Sequence, residues 1–248
     1  MKEIIYRVEV TTREQLEQAV ETDDFQYIYA PINLLDGNTP DKFRIIAVPP
    51  VYLADCEEKC AKRLAELKSF GFEHGLAHTA GHVYLLKKAG FKIHGGFRLN
   101  ITNSRAMEFY EEQGITDTVL SVELTMSLAK GIRHNAPTGL IAYGKLPLMI
   151  TRRCPVKDGK PCGGGKYCGG KITDRKGNEL EIVCSNTCEL LNPDTLILSD
   201  RLSDIADFDF AVLRLTCEEN VREILDMYLE SKKPDGKLTR GLYYRGVE

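Results

Sequence analysis

The chain reads as an α/β protein, a (β/α)₈ TIM-like barrel with a long cysteine-containing insertion in its seventh βα loop. Three observations predict this. Short β-branched or aromatic runs alternate with amphipathic stretches from residue 1 to about residue 145, the rhythm of repeated βα units. Eight strand candidates fit within 248 residues, the usual size of such a barrel. No glycine-rich phosphate loop follows an early strand, which disfavours a doubly wound sheet. Residues 1–248 are therefore expected to form a single barrel domain, with the insertion at about 146–200.

The strand candidates are Ile4–Val10, Tyr27–Ala30, Phe43–Val48, Leu76–Thr79, Lys92–Phe97, Thr118–Val122, Leu140–Tyr143 and Phe210–Leu215. Helices are expected between most of them. Thr12 with Gln15 forms a capping box ahead of Leu16, Ala19 and Val20, and Asp55 caps a helix carrying Cys60, Leu64 and Leu67 that Gly71 ends. Further helices run from Gly81 to Ala89, from a cap at Thr102 or Asn103 past Tyr110, from Thr125 to Gly131, and from Glu218 to Ser231. Pro31–Lys42, with its Asp36-Gly37 turn, has no helical pattern. The insertion lies between the seventh strand and a late helix, Asp200–Ile205, so it extends a loop at the C-terminal face, where such barrels carry their chemistry. Inside it, Asp174–Gly177 reads as a hairpin turn with Lys171–Thr173 and Leu180–Val183 as arms.

Composition narrows the function classes. With 43% hydrophobic and 28% charged residues, the chain can bury a large core without disulfide staples. A net charge of -3 gives no global attraction to nucleic acid or anionic membranes. There is no leader pattern and no apolar run approaching ~18 residues, so a cytoplasmic location and no membrane association are expected. In that compartment thiols stay reduced, and clustered cysteines point to metal ligation or redox chemistry.

Five of the eight cysteines are clustered in this way: Cys154, Cys162, Cys168, Cys184 and Cys188. Cys56, Cys60 and Cys217 stand apart and are read as small buried hydrophobes. Four thiolates suit zinc or an iron–sulfur cluster. The intervals in the window are seven, five, fifteen and three residues, and only the last fits the tight knuckles of structural zinc ribbons. Glycine-rich wrapping, Gly163-Gly164-Gly165 and Gly169-Gly170, favours a larger inorganic body approached closely by backbone, with Zn²⁺ as the alternative.

Around the cysteines the text reads Gly144-Lys-Leu-Pro-Leu-Met-Ile-Thr-Arg-Arg-Cys-Pro155, followed by Thr173-Asp-Arg-Lys-Gly177, Cys188-Glu-Leu-Leu-Asn192, Leu198-Ser-Asp-Arg-Leu202 and a terminal Arg240-Gly-Leu-Tyr-Tyr-Arg-Gly246. This series resembles the U32 family, the collagenase-like peptidases, and in particular the C-terminal barrel module of its longer members, over nearly the whole chain. The resemblance implies a [4Fe–4S] protein related to those that hydroxylate RNA or ubiquinone precursors without molecular oxygen, some with prephenate as oxygen donor. It carries the ligand set onto Cys154, Cys162, Cys168 and Cys188, with Cys184 as an alternative ligand because it lies four residues from Cys188. It also implies a small-molecule or RNA substrate and, as a partner, an N-terminal U32 module or a second U32 protein. An earlier family signature with one histidine and one further thiol is absent at Ala142–Pro147, a departure from the RNA-modifying branch, and the N-terminal module of the long members is missing too, so the chain is expected to be an excised domain or a small stand-alone paralogue.

Position in the barrel nominates further residues. His78 should fall at the C-terminal end of the fourth strand, facing the mouth, whereas His74 and His82 are read as satisfied or solvent-facing. The same logic nominates Arg98 and Asn100 after strand five, Glu123 after strand six, Arg152 beside the first cysteine, and Arg214 on strand eight. A guanidinium pair there suits a carboxylated substrate or donor. Framework roles compete: Asn100 and Asn103 as helix caps, and Glu123 as an ion-pair partner of an arginine. No Gly-x-Ser-x-Gly or His-Glu-x-x-His motif supports proteolysis. Lys157, Lys160, Lys166, Lys171, Arg175 and Lys176 make the insertion locally basic, as a solvated loop also would. The expected function is oxygen-independent hydroxylation of a nucleobase or small aromatic. U32 peptidase activity and a non-catalytic zinc or iron–sulfur module are the alternatives.

Overall fold

The computed structural model describes residues 3–51, 56–152, 154–156, 170–184, 187–216 and 218–245. Seven strands come first: β1 (Tyr6–Glu9), β2 (Phe25–Pro31), β3 (Ile45–Val48), β4 (His74–Ala77), β5 (Lys92–Gly95), β6 (Ile115–Val119) and β7 (Thr138–Gly144). The insertion adds β8 (Pro147–Thr151), β9 (Lys171–Thr173), β10 (Glu179–Cys184), β11 (Cys188–Leu191) and β12 (Thr195–Ile197), and β13 (Phe210–Arg214) follows. Strands β1 to β7 pair in parallel in chain order, and β13 closes the ring, with Ala211 in register with Leu140 on one side and Tyr6 on the other. The expected eight-stranded barrel is thus observed.

Helices α1 (Arg13–Val20), α2 (Glu57–Ser69), α3 (Ala80–Lys88), α4 (Ser104–Glu112), α5 (Met126–Lys130), α6 (Leu202–Ile205) and α7 (Val221–Leu229) lie in the crossovers. Their starts are set by side chains that satisfy orphan backbone donors. Thr12 and Gln15 form the reciprocal capping box, while Thr79, Asn103, Thr125 and Asn220 each accept from the N–H three residues on. Cys60, Leu64 and Leu67 are the buried face of α2, and its expected cap, Asp55, lies outside the described residues. No helix among the described residues is long and apolar enough to cross a membrane.

Four strands begin earlier than their sequences suggest, among them β2 at Phe25 rather than Tyr27 and β7 at Thr138 rather than Leu140. β4 starts at His74 rather than Leu76, and β6 at Ile115 rather than Thr118. The discounted residues include His74 and Asp117, polar side chains that disfavour a buried strand. In the barrel each pairs with His94, and Asp117 also pairs with Arg7, which removes the penalty.

The insertion is a second sheet rather than a loop with one hairpin. Its order is β8-β11-β10-β9, antiparallel throughout. The expected turn is present, with the Asp174 carboxylate accepting from the backbone N–H groups of Lys176 and Asn178. Pro147 opens an edge strand, the position in a sheet that tolerates a missing donor. Gly144 makes the exit from β7 possible: its φ is +121°, and a Cβ there would lie 2.1 Å from the carbonyl oxygen of Arg214.

Candidate active site at the barrel mouth

Residues at the C-terminal ends of the parallel strands share one rim, and there the structure gathers Glu9 from β1, His78 just after β4, Phe97 and Arg98 after β5, Lys145 after β7, and Arg214 from β13. Phe97 is the hub. Its ring meets the His78 ring edge-on at 5.7 Å, and the guanidiniums of Arg98 and Arg214 lie 4.9 and 5.9 Å from its centroid.

The two arginines hold a carboxylate, and it comes from the insertion. Arg98 Nη2 donates to Glu189 Oε1 at 2.8 Å, and Arg214 Nη2 donates to Glu189 Oε2 at 2.8 Å. Arg214 makes two further bonds, with Nε on Glu9 at 3.2 Å and Nη1 on the Lys145 carbonyl at 2.8 Å. Lys145 in turn pairs with Glu181 of β10 at 2.8 Å. The second sheet is therefore tied to the mouth by two of its own carboxylates. Burial lowers the Arg98 pKa, with the like charge of Arg214 adding to this and Glu189 opposing it.

His78 is 3% exposed, and its Nδ1 has no hydrogen-bond partner among the described residues. Burial, then the charges of Arg98, His82 and Arg214, drives its pKa well below the ordinary value, so the ring is neutral. The Nδ1 edge lies against Gly96, where a Cβ would come within 2.3 Å; only a residue without a side chain leaves the ring its place. His82 is satisfied as expected, between the His78 N–H at 3.1 Å and the Pro50 carbonyl at 2.9 Å.

The other nominated residues are not drawn into this centre. Asn100 is exposed in the left-handed conformation, φ 53°, and accepts from the Ser121 hydroxyl; Asn103, not Asn100, caps the next helix. The Glu123 side chain is exposed and has no ion pair with an arginine among the described residues. Arg152 is exposed beside the insertion. Sequence reasoning missed Glu189, Glu9 and Phe97. Glu189 had one legible signal, a charged residue between Cys188 and Leu190 in a run able to alternate as a strand.

That alternation also locates the thiols. In β11, Glu189 faces the barrel, so Cys188 and Leu190 face away, and in β10 Glu181 and Ile182 divide the same way. Cys154 and Cys188, 0% and 1% exposed, share a small apolar cluster with Leu180, Ile182 and Leu190 that is separate from the barrel core. Cys184 is the backbone register partner of Cys188. Cys162 and Cys168 lie outside the described residues, as does Cys217. Among the described residues no group of three or more potential ligands stands ready for a metal.

At the opposite end of the barrel a second polar array is buried. Arg7 donates to Asp117 at 2.9 Å and to the Tyr29 hydroxyl at 3.2 Å, and stacks on Phe210 at 3.5 Å. His94 Nδ1 meets both Asp117 oxygens at 2.9 Å, and His94 Nε2 meets His74 Nδ1 at 2.8 Å. An ionised carboxylate only accepts, so His94 Nδ1 is the donor to Asp117. Burial would raise the Asp117 pKa, but the hydrogen bond and charge of His94, and Arg7 behind them, hold it below the ordinary value. His74 is pushed down to about 4, by burial first and then by His94.

The sequence model of peptidase family U32 matches residues 46–159, which include β3 to β8 and the run Gly144–Pro155. This is a narrower span than the near-complete resemblance expected from the motifs. No curated protein matches the chain in sequence. In fold, the chain resembles the structure of the U32 peptidase Mk0906, with a TM-score of 0.50 and 11% identity over 88% of this chain and 95% of that one. A looser likeness, TM-score 0.43 at 9% identity, is to 3-hexulose-6-phosphate synthase from Salmonella typhimurium, over 93% of this chain and all of that one. Over residues 46–159 the chain is therefore similar in sequence to peptidase family U32, and its barrel is similar in fold to a U32 structure.

Proposed function

We propose that the barrel mouth binds a small carboxylated molecule and that the chain supports U32-type oxygen-independent hydroxylation of a nucleobase or small aromatic. The observation that carries this reading is the convergence of Arg98, Arg214 and neutral His78 around Phe97 at the rim where (β/α)₈ enzymes place their chemistry. Two guanidiniums bind a carboxylate such as that of prephenate, Phe97 offers a ring face, and His78 Nδ1 offers an unused hydrogen-bonding position. Its low pKa keeps that ring uncharged at neutral pH, so it can exchange a hydrogen bond with substrate without adding a third positive charge.

The described thiols fit a metal–thiolate group as far as they go: Cys154 and Cys188 are buried in one cluster. With Cys162 and Cys168, and Cys184 as the alternative to Cys188, they would hold a [4Fe–4S] cluster or Zn²⁺. A bound cluster supplies one-electron transfer. One observation favours a second reading, in which the metal only organises the insertion: Cys188 faces away from the arginines. Proteolysis finds less support, since no serine hydroxyl among the described residues bonds to a histidine ring.

The test is anaerobic purification with iron, sulfide and zinc quantified, followed by calorimetric titration with prephenate and mass spectrometry of RNA nucleosides and small aromatics. Stoichiometric iron and sulfide, prephenate binding lost in Arg98→Met, and a product with one added oxygen atom are expected. Stoichiometric zinc without prephenate binding would establish the structural reading instead, and gelatin cleavage by metal-free protein would restore the peptidase one.

A further inference from the structure

We propose that Glu189 is a displaceable occupant of the arginine seat: a small carboxylate binds Arg98 and Arg214 in its place, and its entry releases β11 from the rim. The proposal deepens the reading of the mouth as a carboxylate site and rests on it.

The geometry of the seat supports exchange. Each Glu189 oxygen takes one guanidinium nitrogen from a different arginine, so neither arginine makes the two-pronged contact its fork allows. Arg98 engages through Nη2 alone among the described residues, leaving Nε and Nη1 for an incoming anion. The side chains of Arg214, Arg98 and Glu189 are 4, 13 and 17% exposed, so Glu189 is the most open side chain of the trio.

Charge makes the seat specific. With Glu9 and Glu189 in place, the two guanidiniums are balanced. Withdrawal of Glu189 leaves one uncompensated positive charge in a largely dry site, and one carboxylate restores neutrality. A ligand without a negative charge leaves that cost unmet. The unpartnered Nδ1 of buried His78, packed on the same Phe97 ring, is a further polar group that Glu189 does not satisfy.

Glu189 also sits where displacement has a consequence. It lies between Cys188 and Leu190, whose side chains belong to the apolar cluster on the far face, and β11 is hydrogen-bonded to both β8 and β10. Loss of the Glu189 contact leaves Glu181–Lys145 as the remaining ion pair between this sheet and the rim among the described residues. Ligand entry and the order of the cysteine-bearing sheet are thus linked through one side chain.

The experiment uses malonate as the probe, with prephenate in parallel, on the full chain and on Glu189→Gln, Glu181→Gln and Arg98→Met. Affinity is measured by calorimetry, and amide hydrogen exchange is followed across Cys188–Leu191. An internal occupant that fills the seat nine times in ten weakens apparent binding about tenfold, so Glu189→Gln should bind malonate about tenfold more tightly. Glu181→Gln should not, and Arg98→Met should lose binding. Malonate should speed exchange across Cys188–Leu191 in the unaltered chain, a readout that needs no variant to fold. Equal malonate affinity in Glu189→Gln and the unaltered chain, or a Glu181→Gln gain matching that of Glu189→Gln, overturns the proposal. Prephenate binding that is insensitive to Glu189→Gln sinks the latch while keeping the carboxylate reading. Malonate binding without prephenate binding keeps the latch and removes that donor.

Discussion

Cys188 and Glu189 are neighbours in β11 and face opposite ways: the thiol joins Cys154 in a cluster beyond the sheet, and the carboxylate bridges Arg98 and Arg214 at the barrel mouth. A strand's period of two separates what the sequence places side by side. The backbone of β11 stands between the Cys188 thiol and the arginines, so metal binding and anion binding can be assayed separately.

The first prediction follows from that separation. Cys154→Ser should lose any iron or zinc that the unaltered chain carries and still bind malonate, at least as tightly as the unaltered chain, since a looser β11 eases release of Glu189. Elemental analysis and calorimetry on one preparation check it. Loss of malonate binding together with the metal would show that the two faces act as one site.

The second concerns the array at the other end of the barrel. The Arg7 and Asp117 side chains are 4 and 8% exposed, and Asp117→Asn leaves the guanidinium without its counter-charge. A cost of about 3–5 kcal/mol is expected in urea denaturation, because breaking a buried pair strands the other charge. Replacing both residues with Met and Leu should recover part of it. An Asp117→Asn cost under about 1 kcal/mol, the range of surface pairs, would contradict the buried assignment.

The third distinguishes two glycines with similar dihedrals and different surroundings. Gly144 has φ +121° and the Arg214 carbonyl 2.1 Å from a built Cβ, whereas Gly177, φ +81°, has nothing within 4 Å. Gly177→Ala should cost about 1 kcal/mol, from backbone strain alone. Gly144→Ala should cost more than about 3 kcal/mol, since backbone must also shift. Thermal melts of both variants, run together, settle the order.

The fourth is a pH dependence. His74 and His82 are both held at about 4 in the folded chain against an ordinary 6.5, with burial the leading cause for each. Between those values the unfolded chain binds more protons. The contribution to stability is therefore complete above about 6.5 and shrinks as pH falls toward 4, by on the order of a few kcal/mol for the two rings together. Melting temperatures from pH 7 to 4 should show the decline, and His82→Asn should flatten it. An unchanged slope in that variant would falsify the assignment.

The repeating βα rhythm was legible because each element announces itself locally. Thr12 with Gln15, Asn103 and Thr125 cap where their side chains can reach backbone donors three residues on, and such reach depends on sequence spacing alone. The hairpin at Asp174–Gly177 was legible for the same reason. The starts of β4 and β6 were not: His74 and Asp117 are tolerated in strands only because His94, at |i−j| of 20 and 23, and Arg7, at 110 from Asp117, come to meet them.

At the site, position along the barrel correctly placed His78, Arg98 and Arg214 on the rim but assigned the arginines a ligand's carboxylate, whereas Glu189 of this chain holds them. The same reasoning nominated Asn100, Glu123 and Arg152, which stand exposed around the site. By itself the sequence determined the barrel, its caps and the loop that carries the thiols, because periodicity, turn chemistry and residue type act over a few residues. Only the tertiary structure decided that the described part of the insertion is a sheet pinned to the mouth, that Cys188 faces away from the arginines and that two arginines are already partnered. Those facts depend on charges brought together across roughly 90 and 25 residues, Arg98 to Glu189 and Glu189 to Arg214, and on which side of a pleat each falls.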